Sequence, residues 1–422
     1  MPRPQEQPAD RTGLRRANLA LLLRLLREHQ GQSRAQLAVL SGLSKATVSS
    51  LVAELELRRL VRLGGVATGG HGRPGQLVEL SEDGVCGIGM EVGVDHIGVT
   101  ILGMTGRLIQ HRRVPCDVLA AGVEGTLDEL ALAAGAALDT VHDHGAWPAG
   151  ITVGVPGLVD ITAGIVRLSP RLRWREVALA DELAGRVGIP LARVLVDNDA
   201  NLSATAEYEV GGRRGSSDLV YVTGDFGVGA GVISGGRLVR GAVGFAGEVG
   251  HMPMDPMGPY CSCGRRGCWE TQVGISALLH ALRAGPDDDG GADPVANPGL
   301  DLDTRVATIR SRAELGDART LGVLNQIGAK LGHGVSILVN VLNPAVVVLG
   351  GYFAALHDWL VEPARTAVAA RALVTSAGAA TVVGSELGFT AATTGGAHAA
   401  LGRVFGDPTV VPVRDESREA PA

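Results

Sequence analysis

Apolar residues in the first sixty positions recur at helical spacing. Leu14, followed by apolar positions 21, 22, 25 and 26, predicts a helix that ends near Gly31. Ser33, with Gln36 three positions later, forms a capping box that predicts the start of a second helix. A short turn containing a glycine separates it from a third helix, which begins after Ser44. Two short helices joined by a tight turn are typical of a helix-turn-helix.

A strand, a glycine-rich loop and a second strand follow these helices. The strands are predicted at 60–61 and 76–80, and the loop between them has a basic tip at His71–Arg73. This pattern predicts a winged helix-turn-helix over residues 13–80, whose third helix reads the major groove with its N-terminal residues. The candidate DNA contacts are Ser44, Lys45, Ala46, Thr47, Ser49, Ser50 and Arg73. The alternative for this region is a helical interaction or dimerisation module.

From residue 85 onward, short apolar strands alternate with helical segments, which is typical of an α/β fold. Two lobes are predicted, at 85–200 and 201–392, and a last helix at 393–405 is predicted to pack back on the first lobe. The remaining segments are predicted to lack regular structure: 1–12 and 406–422 as disordered tails, and the aspartate-rich stretch 285–303 as a surface loop.

The charge of the chain is unevenly distributed. Residues 1–80 contain twelve Arg or Lys and six Asp or Glu, a net charge of +6 within a chain whose formal net charge is −6. A basic first fifth on an acidic body favours a nucleic-acid module attached to another domain. No run of about 18 apolar residues occurs without a charge or a glycine, so no membrane span is predicted. Nothing reads as a secretion signal, and a cytoplasmic location is expected.

Three of the five cysteines lie close together at Cys261, Cys263 and Cys268, and His251 precedes the first of them by ten positions. Three thiolates and one imidazole are a complete tetrahedral ligand set for Zn²⁺. With all four positions filled, this zinc would be structural and would not activate water. The alternative is a set of buried or disulfide-bonded cysteines, but disulfides are rare in the cytosol.

The residues around this cluster resemble a known signature. Glu248-Val-Gly-His251, followed by Cys261-x-Cys-Gly-x-x-Gly-Cys-x-Glu270, resembles the signature of the ROK family, which includes sugar repressors and sugar kinases. The resemblance implies a two-lobed domain of the actin/hexokinase (ribonuclease H-like) type after the winged module. It also implies that zinc holds a loop from which Glu248, His251 and Glu270 contact a sugar.

The first lobe carries the other half of the implied sugar site. The stretch that ends at Gly157 resembles the family's sugar-side loop, and Asn198-Asp199 follows a strand at the point where such sheets bind ligands. In ROK kinases the matching aspartate is the general base, so Asp199 would be a vestigial base that contacts sugar. A structural reading is that Asp199 only caps the following helix. Arg171 stands where the family has asparagine, which leaves the identity of the sugar open.

Both phosphate loops depart from the family pattern. Glu91 to Asp95 stand in place of Asp-x-Gly-Gly-Thr, so Val94 brings a branched side chain and Asp95 a carboxylate to the expected position of ATP phosphates. Asp225 and Phe226 replace the first two residues of Gly-Thr-Gly in the second loop. An acid in a phosphate site repels the anion. We therefore expect no kinase activity.

The resulting prediction is a sugar-responsive transcriptional regulator that acts as a repressor. It would bind a double-stranded DNA operator as a homodimer or homotetramer, and would bind a sugar or sugar phosphate without phosphorylating it. The alternatives are an ATP-dependent sugar kinase of the glucokinase type, alone or combined with DNA binding, and a purely structural or partner-binding protein.

Overall fold

The computed structural model describes residues 11–66, 75–213, 215–283, 294, 295, 297, 300–373 and 380–413. Within these residues the chain forms an N-terminal module and two lobes of similar topology. None of the described helices is long and apolar enough to span a membrane. The segment 1–10, the basic wing tip with Arg73, and the segment 414–422 lie outside the described residues.

The N-terminal module combines three helices with a small antiparallel sheet in the order β1-β3-β2. Its elements are α1 (Arg11–His29), β1 (Gln32–Ser33), α2 (Arg34–Ser41), α3 (Lys45–Leu57), β2 (Val61–Val66) and β3 (Gln76–Leu80). The capping box of Ser33 and Gln36 forms as predicted, and Ser44 caps α3 by accepting a hydrogen bond from the Thr47 amide. Gly42 adopts the left-handed conformation that ends α2 (φ 70°).

The first lobe is built on a five-stranded sheet in the order β11-β7-β4-β5-β6. Its elements are β4 (Val85–Val92), β5 (His96–Gly103), β6 (Leu108–Pro115), α4 (Val118–Asp143), β7 (Trp147–Val155), β8 (Leu158–Asp160), β9 (Ile165–Ser169), β10 (Trp174–Val177), α5 (Leu179–Val187), β11 (Val194–Asn198) and α6 (Asp199–Glu209). Strands β4, β7 and β11 are parallel and almost wholly buried, whereas β5 and β6 form antiparallel hairpins at one edge. The carboxyl ends of β4 and β11 therefore lie at the same edge of the sheet.

The second lobe repeats this arrangement, with the sheet order β14-β13-β12-β15-β16. Its elements are β12 (Leu219–Gly224), β13 (Val228–Ser234), β14 (Arg237–Leu238), α7 (Glu270–Val273), α8 (Ile275–Arg283), α9 (Leu302–Glu314), α10 (Ala318–Leu342), β15 (Val346–Gly351), α11 (Tyr352–Ala355), α12 (His357–Arg371), β16 (Thr381–Gly384) and α13 (Ala391–Gly406). Two of the aspartates in the predicted surface loop 285–303 are part of a helix instead: Asp301 caps α9, and Asp303 lies in its first turn.

Helix α13 packs back on the first lobe, as predicted. Its backbone approaches β4 so closely that a side chain on Gly89 would collide with the Thr393 carbonyl. The far end of α13 joins the N-terminal module: Leu401, Val404 and Phe405 share one apolar core with helix α1, for example with Leu19. The module and the first lobe are therefore packed together and do not merely follow one another along the chain.

Residues 11–12 and 406–413, which belong to the two predicted tails, are ordered in the structure. Helix α1 already begins at Arg11, and a turn of 3-10 helix (Pro408–Val410) follows α13. Val411 is 2% exposed in the core of the N-terminal module, and Arg58 at the end of α3 donates hydrogen bonds to the carbonyls of Thr409 and Val411. Residues 407–413 are thus ordered by contacts with the N-terminal module, which is distant in the sequence, and the prediction of a disordered tail is wrong for them.

Candidate ligand cleft and metal centre

A cleft that is partly open to solvent lies between the two lobes. It is lined by the ends of first-lobe strands and by the second-lobe loops that precede α7. All six residues expected to contact a sugar line this cleft: Gly157, Asn198, Asp199, Glu248, His251 and Glu270. They are separated by up to 113 positions in the sequence, so folding alone brings them together.

The first-lobe wall of the cleft is formed where β11 ends and α6 begins. Asn198 is the N-cap of α6: its Oδ1 accepts from the Asn201 amide (3.0 Å), and its Nδ2 donates to the Gly157 carbonyl (3.1 Å). The structural reading of Asp199 as the cap is therefore wrong. Asp199 is the first helical residue and its carboxylate lines the cleft, where burial raises its pKa to about 6. Gly157 has φ 121°, and a side chain there would collide with the Leu168 carbonyl.

The second-lobe wall carries Glu248, His251 and Glu270. Partial burial and the nearby charges of Asp199 and Glu270 raise the pKa of Glu248 to about 7, although 40% of its side chain is exposed. Glu270 begins α7 directly after the buried Trp269, whose indole nitrogen donates to the Lys330 carbonyl (3.1 Å). Anchoring this neighbour fixes the place where the Glu270 carboxylate enters the cleft.

Arg171 crosses the cleft mouth from the first lobe. Its guanidinium lies 3.0 Å from Glu270 Oε1, so it neutralises part of the acidic second-lobe wall. The sequence identified Arg171 only as a departure from the family pattern. Its partner depends on how the lobes face each other, which the sequence does not reveal.

The predicted metal ligands converge. One ligand atom each from His251, Cys261, Cys263 and Cys268 lies within 4.8 Å of the others. The Cys263 and Cys268 sulfurs are 3.7 Å apart, too far for a disulfide, and Cys261 Sγ is 3.6 Å from His251 Nδ1. A tetrahedral ion with bonds of about 2.3 Å to sulfur and about 2.0 Å to nitrogen requires a sulfur–sulfur separation of about 3.8 Å and a sulfur–nitrogen separation of about 3.5 Å. The donor set therefore fits a tetrahedral metal ion.

Local backbone geometry produces this convergence. Gly267 has φ 65°, and a side chain there would overlap the Asp255 carbonyl, so only glycine permits the return of the loop toward Cys268. If His251 uses Nδ1 for the metal, its Nε2 remains on the side of Glu248, 3.7 Å from that carboxylate. The metal centre and the cleft thus share His251.

The residues at the expected phosphate-loop positions line the cleft, apart from Asp95, and several of them also have contacts inside the protein. Val94 packs against the apolar core of the first lobe, and Phe226 against that of the second. Asp95 pairs with His96 (2.8 Å). Asp225 begins the turn between β12 and β13 and has one buried oxygen without a hydrogen-bond partner among the described residues; burial raises its pKa. Glu91 lies near Asp199 and Asp225, and burial followed by these two charges raises its pKa to about 7, against the opposing charge of His96.

The proposed DNA-reading face lies far from these loops, on α3. Ser44, Lys45, Ala46, Ser49 and Ser50 are exposed and Thr47 is half-buried. The Ser44 and Thr47 hydroxyls are 2.8 Å apart, and Ser50 accepts from Arg15 (3.4 Å), so these three hydroxyls already have intramolecular partners. Lys45 and Ser49 are the more available candidates. Arg73, outside the described residues, stays a prediction.

Comparison with known proteins identifies the family. The ROK family model matches residues 87–403. The xylose repressor of Bacillus subtilis strain 168 is 32% identical over 375 residues, which cover 86% of this chain and 89% of the repressor. The match to the repressor thus extends beyond the ROK region.

Two solved structures show the same fold. A ROK family transcriptional regulator, a homologue of the E. coli MLC protein, superposes with a TM-score of 0.73 at 23% identity and covers 93% of this chain and 97% of its own. A ROK family glucokinase from Streptomyces griseus, in complex with glucose and AMPPNP, superposes with a TM-score of 0.65 at 27% identity, covering 74% of this chain and 98% of its own. With the family model matching well over half of its length, this protein belongs to the ROK family.

Proposed function

We propose that this protein is a sugar-responsive repressor that binds sugar in the interlobe cleft without phosphorylating it. One observation carries the proposal: the six sugar-side residues line a common cleft, whereas Val94, Asp225 and Phe226, at the phosphate-loop positions of that cleft, bring bulky side chains and a carboxylate to the place where nucleotide phosphates would approach. A relative whose match covers 86% of this chain is a xylose repressor. A DNA operator and a cytoplasmic location follow from this function.

The cleft chemistry suits an uncharged sugar better than a sugar phosphate. Asp199, Glu248 and Glu270 accept hydrogen bonds from hydroxyl groups, while a phosphate would meet acids on both walls. The Arg171 cation is already paired with Glu270. Because the relative is named for xylose, a neutral pentose is the first effector to test.

Zinc is the metal that we propose for the His251 and cysteine cluster, since three thiolates and an imidazole are a structural zinc set. Its contribution would be structural, because the four protein ligands complete its shell. The loop from His251 to Glu270 then presents the free imidazole nitrogen of His251 and the Glu270 carboxylate to the ligand.

Binding is expected to change how the two lobes face each other, because the contacts come from both. Helix α13 spans from the interlobe region to the N-terminal module, so a change between the lobes can reach α3. A sugar shifts DNA affinity only if it binds one lobe arrangement more tightly than the other. A homodimer or homotetramer would place two α3 helices on a two-fold symmetric operator.

The alternative, a sugar kinase, keeps one feature in its favour. Asp199 lies in the cleft with a pKa raised toward neutrality, as a general base requires. Against it stand Val94 and Phe226, whose side chains occupy positions where the backbone would approach ATP phosphates, and Asp95 and Asp225, whose carboxylates would repel them.

The test uses the full chain loaded with metal. Thermal unfolding is measured against a panel of neutral sugars and their phosphates, each with and without MgATP. The expected result is stabilisation by one neutral sugar, unchanged by MgATP. DNA fragments selected from a random pool by the protein should then be released by that sugar, and Lys45→Ala should weaken their retention. ATP turnover abolished by Asp199→Asn would overturn the proposal in favour of a kinase.

A further inference from the structure

Arg113, at the end of β6, joins the two lobes behind the ligand cleft. Its Nη1 lies 2.8 and 2.9 Å from the two carboxylate oxygens of Asp303, in the first turn of α9 of the second lobe. Its Nη2 lies 3.5 Å from Asp95 in the β4–β5 turn of the first lobe. The guanidinium also lies over the Phe389 ring, 5.5 Å from its centroid. Arg113 thus holds the second lobe while it contacts a turn of the first.

Asp95 makes a direct contact with the second lobe as well. Its Oδ2 accepts a hydrogen bond from the Leu302 amide at the N-terminus of α9 (3.4 Å), where a negative charge is favourable. Although burial raises it, the hydrogen bond with His96 and the charge of Arg113 hold the pKa of Asp95 below its ordinary value. Asp95 is therefore ionised at neutral pH, and it has partners on both lobes.

The turn that carries Asp95 is also part of the cleft wall. Gly93 and Val94 line the cleft. The Gly93 amide donates to the His96 carbonyl (2.9 Å), and the Asp95 and Val94 carbonyls accept from the amides of Cys116 and Val118. A restraint on Asp95 is consequently passed through a stiff turn to the surface that a ligand would touch.

We propose that Arg113 is a positioning residue of the cleft and forms, with Asp95 and Asp303, an interlobe latch that holds the two walls at the separation required for sugar. The ligand part of this inference rests on the proposed function; the latch itself does not. Asp95, the acid at the phosphate-loop position, would thereby bind the second lobe, and the same charge would repel a nucleotide phosphate.

The expected size of the effect follows from the exposure of the groups. The Arg113 side chain is 19% exposed and that of Asp303 46%, so the pair is only partly shielded from solvent. Weakening the latch reduces the population with correctly spaced walls, and apparent affinity falls by the same factor. We expect a threefold to tenfold loss, far less than removal of a group that touches the sugar.

The experiment compares Arg113→Met, Asp303→Asn and the double variant in the full metal-loaded chain. Arg310→Met is the matched control, because Arg310 pairs with Glu314 on the same helix and that pair is exposed. The first measurement, hydrogen exchange without ligand, needs no sugar. Both single variants should increase the exchange rate at the first turn of α9 and at residues 93–96. The double variant should exchange no faster than either single variant, and the control should exchange at the wild-type rate.

The second measurement is the dissociation constant for the sugar that stabilises the wild type. Arg113→Met and Asp303→Asn should each weaken binding threefold to tenfold without additivity, Arg113→Lys should be intermediate, and metal content should stay unchanged. Unchanged exchange in both single variants, or additive losses, would overturn the latch. If no sugar binds the wild type, the proposed function fails while the exchange result still decides the latch.

Discussion

The sugar-side residues and the residues at the phosphate-loop positions lie in the same interlobe region but differ in their surroundings. On the sugar side, Asp199, Glu248 and Glu270 reach a solvent-accessible cleft beside the metal cluster. At the phosphate-loop positions, Val94 and Phe226 also line the cleft, but each packs against the apolar core of its lobe, and Asp95 is paired with His96. The difference is therefore one of partners within a shared cleft, and the proposed function predicts that sugar affinity depends on the first set of residues much more than on the second.

Loss of the metal centre should produce the largest effect on the sugar side. Cys263→Ser removes one of the convergent ligands, so the loop that presents His251 and Glu270 loses its anchor, and sugar affinity should fall by about 100-fold or more. Metal analysis and titration calorimetry measure both consequences. Cys116→Ser, a half-buried thiol outside the cluster, is the control and should change neither. Full sugar affinity in a metal-free Cys263→Ser protein would break the comparison.

A pair of matched aspartates provides the next test. Asp199→Asn keeps the shape of a cleft residue but removes a charged acceptor, and sugar affinity should fall by about 10- to 100-fold. Asp225→Asn makes the same change at a phosphate-loop position of the same cleft and should cost less than about threefold. Titration calorimetry measures the sugar dissociation constant of each variant. Equal losses of affinity would show that the two positions do not differ in their access to sugar.

The buried acid between the two sides should give the protein a pH-dependent stability. The pKa of Glu91 is raised to about 7 by burial and by Asp199 and Asp225. Ionising it in the folded state is therefore unfavourable, and this penalty is absent below the ordinary pKa, grows as pH rises toward 7 and is complete above it. The free energy of unfolding should thus fall between about pH 5 and 8.

Glu91→Gln should flatten this decline and stabilise the protein more at pH 8 than at pH 5. Urea denaturation at three pH values measures it, with Glu314→Gln on an exposed helix face as the control. If the curves of Glu91→Gln and wild type run parallel, the raised pKa is wrong.

The smallest effect is expected from restoring a glycine to the first phosphate loop. Val94→Gly removes a side chain that packs on the first-lobe core and should cost about 1–2 kcal/mol of stability. It should not create a response to MgATP, because Asp95 and Asp225 remain. Thermal unfolding with and without MgATP measures the stability loss and the response to nucleotide. A higher unfolding temperature with MgATP in this variant would mean that the Val94 side chain alone prevents nucleotide binding.

The features predictable from the sequence are those whose partners lie close along the chain. The capping box of Ser33 and Gln36 spans four residues, and three thiols within eight positions have few ways to be arranged around glycine turns. The six sugar-side residues could be assigned only through the family signature. That they share one cleft agrees with the assignment, while their contact with sugar stays a prediction.

The contacts that the sequence did not reveal depend on the packing of distant elements. Arg113 and Asp303 are 190 positions apart, and Asp303 was assigned to a surface loop. The order of residues 407–413 likewise depends on α1 and Arg58, which lie more than 350 positions earlier. Asn198 is a predicted sugar contact, but its side chain also makes two structural hydrogen bonds. It caps α6 and donates to the Gly157 carbonyl.

The shared core of the N-terminal module and α13 has a consequence for the modularity of this protein. Val61 and Val78 of the small sheet belong to the same apolar cluster as Leu401 and Val411. A fragment ending at residue 80 would expose that cluster to water, and we expect it to aggregate or to bind DNA poorly. A fusion that joins the proposed DNA-binding module to another sensor domain would therefore have to include α13 and the segment to Val411. The N-terminal module and this C-terminal segment would have to be transferred together.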